Sequence, residues 1–126
     1  MKPAYLLDSA ILIDHLRGIA PATKWLRTLR EGEAVISVIT RAEVMAGGSS
    51  DEQAAAFDLC EQFGCLAITK ESADRAAGLR RANHWKLPDA FQAALAIDQG
   101  LRLVTRNSRD FDESEHAFVL IPYRLG

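Results

Sequence analysis

Four acids in this 126-residue chain stand where acids can do chemistry. Asp8 closes the apolar run Ala4-Tyr5-Leu6-Leu7. Glu43 falls in the first turn or so of a helix that comes after the run Ala34-Val35-Ile36-Ser37-Val38. Asp89 comes after Pro88 at the head of an apolar helical stretch, and Asp110 lies shortly after the run 101–105. Each has an ordinary structural reading. Thr40-Arg41-Ala42-Glu43 has the spacing of a capping box, with Glu43 reaching back to the Thr40 amide. Asp8 can cap a helix, Asp89 suits a helix N-terminus, and Asp110 can be a turn residue. Those readings predict no common location, whereas a carboxylate cluster does. Clustered carboxylates repel one another, and burial raises their pKa values, so a cation must compensate. All-oxygen donors select a hard divalent ion, Mg²⁺ or Mn²⁺, over zinc. Such an ion lowers the pKa of an attacking water and neutralises charge on phosphate oxygens. The resulting chemistry is metal-assisted hydrolysis of a phosphodiester.

Other polar residues fit this scheme less well. Asp98 lies nine residues beyond Asp89, about half a turn out of phase and roughly 13 Å along a helix, too far to share an ion. Asp14, six residues past Asp8, reads as a surface or pairing residue. His15, His84 and His116 are scattered, and neither a nucleophile elbow nor a glycine-rich phosphate loop occurs.

The elements that must position the acids alternate along the chain. Five apolar runs of strand length (4–7, 34–38, 66–69, 101–105 and 118–121) are continuous rather than alternating, as in strands buried on both faces. Helical patterns over 10–17, 21–30, 51–63, 70–84 and 88–99 separate them, with a helix carrying Glu43 after the second run. Gly47-Gly48-Ser49-Ser50 reads as a helix–helix loop, and Gly100 ends the last helix. The pattern predicts an α/β fold, a small parallel sheet of about five strands flanked by α-helices. Ligands of such sheets bind beyond the carboxyl ends of the strands. The four acids are expected at that edge.

Length and composition are those of one globular domain spanning 1–126: 48% hydrophobic and 25% charged residues. Two cysteines exclude a disulfide framework and a structural zinc site. No run approaches a membrane span. The N-terminus has no signal-peptide pattern, and with so few cysteines the expected location is cytoplasmic. A net charge of −2 is not the footprint of a protein that holds nucleic acid by bulk charge, although 11 of the 15 cations are arginine, the better bidentate phosphate ligand.

Four motifs in order, Leu6-Leu7-Asp8-Ser9 with Ile13-Asp14, Ser37-Val38-Ile39-Thr40-Arg41-Ala42-Glu43, Leu87-Pro88-Asp89-Ala90, and Leu103-Val104-Thr105-Arg106-Asn107 with Asp110-Phe111, resemble the PIN-domain nucleases. Within these the chain is most similar to the VapC-type toxins of bacterial toxin–antitoxin pairs. The resemblance covers essentially the whole chain. It implies a Mg²⁺- or Mn²⁺-dependent endoribonuclease, often a homodimer, restrained by a cognate VapB-type antitoxin. By position, Asp8, Glu43 and Asp89 match the core metal ligands. The fourth position falls to Asp110 or Asn107: many relatives have Asp where Asn107 stands, others have Asn there with an acid three residues later, and Asn107 can support the site by holding a water or a phosphate oxygen. Ser9 and Thr105 match positions that support the pocket by hydrogen bonds. Bound metal inverts the local charge, so RNA can approach an acidic pocket. Arg41, Arg106 and Arg109, beside the acids in sequence, and Arg80, Arg81 and Lys86, flanking Asp89, are the expected contacts to the RNA backbone.

Four other functions compete. One is an RNA-processing PIN-like nuclease without an antitoxin. Another is a catalytically weak PIN domain used for binding, which Asn107 keeps open. The third is a regulatory domain such as a receiver, which wants a lysine after the late strand where this chain has Thr105-Arg106-Asn107. A haloacid-dehalogenase-like phosphatase would want an acid at Ala10.

Overall fold

Leu6 and Leu7 are both fully buried, in different cores. They belong to the central strand β1 (Tyr5–Leu7) of a computed structural model that describes residues 2–125. Successive strand residues point to opposite faces, so a strand covered on both sides must be apolar at every position. The same holds for Val35 and Ile36 in β2 (Ala34–Ser37) and for Leu103 and Val104 in β4 (Arg102–Val104). With β3 (Gly64–Leu66) and β5 (Val119–Leu120) these make a five-stranded sheet in the order β3-β2-β1-β4-β5, parallel throughout. The expected fold class is the one observed.

Six helices cover the faces. Residues from α1 (Ser9–Leu16), α3 (Val38–Met45) and α4 (Ser50–Cys60) pack with Leu7, Ile36 and Val104 on one side, and Trp25 and Leu26 of α2 (Ala20–Leu26) pack against that cluster. On the other side α5 (Lys70–Asn83) and α6 (Leu87–Gln99) pack with Leu6, Val35 and Leu103. Ala90, Ala93, Ala94 and Ala96 are all fully buried. Small side chains there bring α6 close to the sheet. Gly100, in the left-handed region at φ 67°, ends α6 and lets the chain turn into β4.

This topology places the acids. α1 and α3 begin at the carboxyl ends of β1 and β2. α6 precedes β4 by a tight turn and runs back against it, so its N-terminus lies at the carboxyl end of β4. Among the described residues no helix is long and apolar enough to cross a membrane.

Several boundaries differ from the sequence expectation by one to four residues, and two of the shifts have a visible cause. The third strand is Gly64–Leu66 rather than 66–69, because Thr69 is the N-cap of α5 and accepts from the Ser72 amide at 3.1 Å. The second helix stops at Leu26 rather than residue 30. Thr28 there turns its hydroxyl to the Trp25 carbonyl at 2.6 Å.

Candidate active site

Asp8 comes directly after β1 and is held from several directions. Its amide donates to the Val104 carbonyl of the neighbouring strand at 2.9 Å. One carboxylate oxygen accepts from the Ser9 amide at 2.9 Å, so Asp8 is the N-cap of α1. The other accepts from the Thr105 hydroxyl at 2.8 Å. Capping and site placement are thus one arrangement, with lone pairs still free on both oxygens. Burial raises the Asp8 pKa; the bonds from Thr105 and Ser9, together with Gln92 and the charge of Arg106, work against it.

Glu43 stands on the exposed side of α3. Desolvation and the Asp8 charge raise its pKa, while a hydrogen bond from the Ser9 side chain lowers it. Asp89 is the third residue of α6. Its pKa is pushed up to about 6, first by burial, then by the charges of Asp8, Asp110 and Glu43, against a smaller pull from Lys86. One carboxylate thus senses the other three, so the four acids share one electrostatic field.

Asp110 lies at the exposed rim. Asn107 Nδ2 donates to its carboxylate at 2.8 Å, and the Asp110 amide donates back to Asn107 Oδ1 at 3.3 Å. The Asn107 amide in turn donates to Thr105 Oγ1 at 3.1 Å. The two residues are therefore a reciprocal pair, with Asn107 orienting Asp110.

The capping box suggested for Thr40 and Glu43 is not formed. Ser37 caps α3 and accepts from the Thr40 amide at 3.1 Å, so the helix begins at Val38 and Glu43 falls a turn too late to reach back. The reciprocal box is at Ser49 and Glu52, opening α4. The Thr40 hydroxyl instead donates to the Leu7 carbonyl at 3.2 Å. It also accepts from Gln92 Nε2 at 2.7 Å, while Gln92 Oε1 accepts from the Ser37 hydroxyl at 2.6 Å. Ser37, Thr40 and Gln92 are all buried and tie the ends of β1 and β2 to α6 beneath the acids. Gln92 is not among the residues expected from sequence. Its one signal there is a lone amide on an apolar helix, three residues from Asp89 and hence on the same face.

Three of the six expected RNA-contacting cations are engaged within the protein. Arg41 pairs with Glu61 at 2.7 Å and lies over the Phe57 ring, 5.3 Å from its centroid. Arg80 donates to the Trp85 carbonyl at 3.0 Å. Arg106 donates twice to Asp14, at 2.5 and 3.1 Å, and Asp14 is 3% exposed. Local pairing is the reason: each has a carboxylate or carbonyl within reach of its own packing layer. Arg81, Lys86 and Arg109 are exposed.

Among the described residues no three His, Cys, Asp or Glu side chains form a ready-made metal cage. The donor chemistry nonetheless fits a hard divalent ion. The donors are all oxygen, their mutual repulsion falls when a cation binds, and magnesium keeps several of its own waters.

A profile of the PIN domain matches residues 5–116. Ribonuclease VapC10 of Mycobacterium tuberculosis strain H37Rv is 36% identical over 108 residues, 81% of each chain. Among solved structures, a toxin–antitoxin complex from Klebsiella pneumoniae superposes with a TM-score of 0.87 at 32% identity, covering 97% of this chain and 100% of that one. The DNA-bound VapBC of Salmonella typhimurium shares the fold, with a TM-score of 0.77 at 21% identity over 87% of this chain and 91% of that one. The chain belongs to the PIN-domain family.

Proposed function

We propose that the chain is a metal-dependent endoribonuclease, the toxin of a toxin–antitoxin pair, and that Mg²⁺ is its ion, with Mn²⁺ able to substitute. The observation that carries the site is the convergence of Asp8, held by Thr105 and the Ser9 amide at the end of β1, with Glu43 of α3, Asp89 at the head of α6 and Asp110 after β4; Asp89 feels the charges of the other three together. Asp8, Glu43 and Asp89 would hold the ion, with Asp110 completing the rim. The relatives named as a ribonuclease and a toxin–antitoxin complex support the substrate and the partner.

A bound divalent ion supplies positive charge for the phosphate oxygens and an activated water. The chain's own residues do the rest. Thr105 and the Ser9 amide fix both Asp8 oxygens. Asn107 holds Asp110 at the rim. Asp89, raised to about 6 without the ion, gives up its proton when the ion binds, so ion affinity falls as pH drops below that value. Exposed Arg81, Lys86 and Arg109 would meet the RNA backbone.

A cavity of about 180 Å³ beside Glu43 is lined by Ile13, Leu16, Val44 and Ala55, with Glu52 and Arg17 at its edges. An apolar trough next to the acids suits an antitoxin segment that covers both. We place the protein in the cytoplasm as a single domain and a homodimer.

The test is thermal unfolding of antitoxin-free protein against Mn²⁺ and Mg²⁺, then RNA cleavage with and without chelator. Ion at 100 times its Kd adds about 2.7 kcal/mol, a rise of several degrees. The rise should vanish in Asp89→Asn. A rise that persists in the variant would remove Asp89 from the site, and cleavage that survives chelation would overturn the reading.

A further inference from the structure

Trp85 joins the two segments that carry Asp89 and Asp110. It sits between His84, the left-handed end of α5 at φ 59°, and Lys86, the N-cap of α6. It is 5% exposed. Its indole N–H donates to the main-chain carbonyl of Asp110 at 2.8 Å. Its own carbonyl accepts from Arg80 at 3.0 Å. The ring packs on Phe111, with centroids 4.8 Å apart, and on His116 at 5.1 Å.

A buried indole N–H needs an acceptor. Here the acceptor is the backbone of an acid at the site, and Asp89 lies four positions after Trp85. The Asp110 charge disfavours the ionised Asp89, and like charges of this kind favour movement of their two segments apart. The Trp85 bond opposes the movement. Asn107 orients the Asp110 side chain, whereas Trp85 anchors its main chain.

We infer that Trp85 is a positioning residue that sets the spacing between Asp89 and Asp110 for the ion and the substrate phosphate. The inference rests on the metal-site reading above. Trp85→Phe keeps the aromatic packing and removes the N–H. The Mn²⁺ Kd, read from thermal shift against ion concentration, should weaken by up to about fivefold, the limit set by a bond of about 1 kcal/mol whose whole strength is coupled to the ion. Cleavage should need correspondingly more metal for half-maximal rate, with KM for RNA unchanged and kcat restored at saturating metal. Phe118→Leu trims the same aromatic cluster, 6.5 Å from Trp85, without touching the N–H. It should lower Tm and leave the Kd alone.

A second measurement covers the case in which Trp85→Phe does not fold. Coupling between bond and ion is reciprocal, so the ion must strengthen the bond by the same factor. The chain has two tryptophans, and Trp25 packs edge-on to Tyr5 in the other core. Saturating Mg²⁺ should slow exchange of the Trp85 indole proton by up to about fivefold and leave that of Trp25 unchanged. Equal Mn²⁺ affinity in wild type and Trp85→Phe, or equal Trp85 exchange with and without Mg²⁺, overturns the role of Trp85 alone. Absence of any ion effect in wild type overturns the metal site together with it.

Discussion

Arg106 and Asp14, 92 residues apart, form a two-hydrogen-bond ion pair directly beside the contact between Thr105 and Asp8. Consecutive residues of the loop after β4 thus grip two acids at the two ends of α1. Tyr123 adds a third bond, its hydroxyl donating to Asp14 at 2.8 Å and its pKa raised by burial and by that carboxylate. The C-terminal segment, the β4 loop and α1 are locked at one buried carboxylate, and the loop so held presents Thr105 and Asn107.

Asp14→Ala should therefore cost both stability and activity. It leaves the Arg106 guanidinium beside a buried gap. Full loss of a buried pair costs about 3–5 kcal/mol, but Arg106 is partly solvated, so about 2 kcal/mol is expected from urea unfolding. Tyr123→Phe removes one bond and should cost about 1 kcal/mol. Equal stability of Asp14→Ala and wild type would show the pair to be idle.

Asp89→Asn should separate stability from function. The amide keeps the shape and removes one of four like charges. The metal-free variant should gain about 1 kcal/mol at pH 7.5 while cleavage falls at least about a hundredfold. An ordinary lost helix-terminal charge would instead destabilise the apo protein by about 0.3–1 kcal/mol. The sign of the Tm change on its own decides between them.

These residues differ in how far sequence could reveal them. A parallel sheet gathers at one edge the residues that come after its strands, so Asp8 and Glu43, each just past an apolar run, could be placed by topology. Asp89 and Asp110 needed the further inference that the last long helix runs back against β4. The partners of Arg41, Arg80 and Arg106 could not be read. Each lies 5 to 92 residues away and depends on side-chain packing that no local period encodes. Gln92 was hidden for a similar reason. One amide in an apolar helix resembles a tolerated exception until Ser37 and Thr40 are seen against it. The shifted edges of β3 and α3 show caps overriding apolar runs. Thr69 and Ser37 fix where each helix starts, and the strands take what remains.

Gln92→Leu tests that buried layer. The change leaves the Ser37 hydroxyl without its acceptor and Thr40 without a donor, both buried. Two such groups cost about 1–3 kcal/mol each, partly offset by the apolar replacement. A net loss of about 2–3 kcal/mol in urea unfolding is expected. Ser37→Ala also removes the α3 cap, so the double variant Ser37→Ala/Gln92→Leu should lose less than the sum of the two single variants; strict additivity would mean that the two side chains are not coupled.

Asp89 contributes to the pH dependence of the metal-free protein with the sign opposite to that of a salt-bridged acid. Its folded-state pKa is about 6, above the value of roughly 3.9 for an unperturbed Asp. Between these values the folded protein holds more protons than the unfolded chain, so its contribution to stability falls as pH rises from about 4 to about 6 and is flat above. The raised Asp8 and Glu43 act in the same direction. Because other groups titrate in this range, the quantity to measure is the stability difference between wild type and Asp89→Asn. The two should match near pH 4, where Asp89 is protonated and resembles the amide. The variant should then gain on the order of 1–2 kcal/mol by pH 7. Saturating Mg²⁺ reverses the order above pH 6, since the ion needs the deprotonated carboxylate and stabilises wild type alone. A constant gap across pH 4–7 without metal would show that Asp89 titrates normally and that the four acids do not share one field.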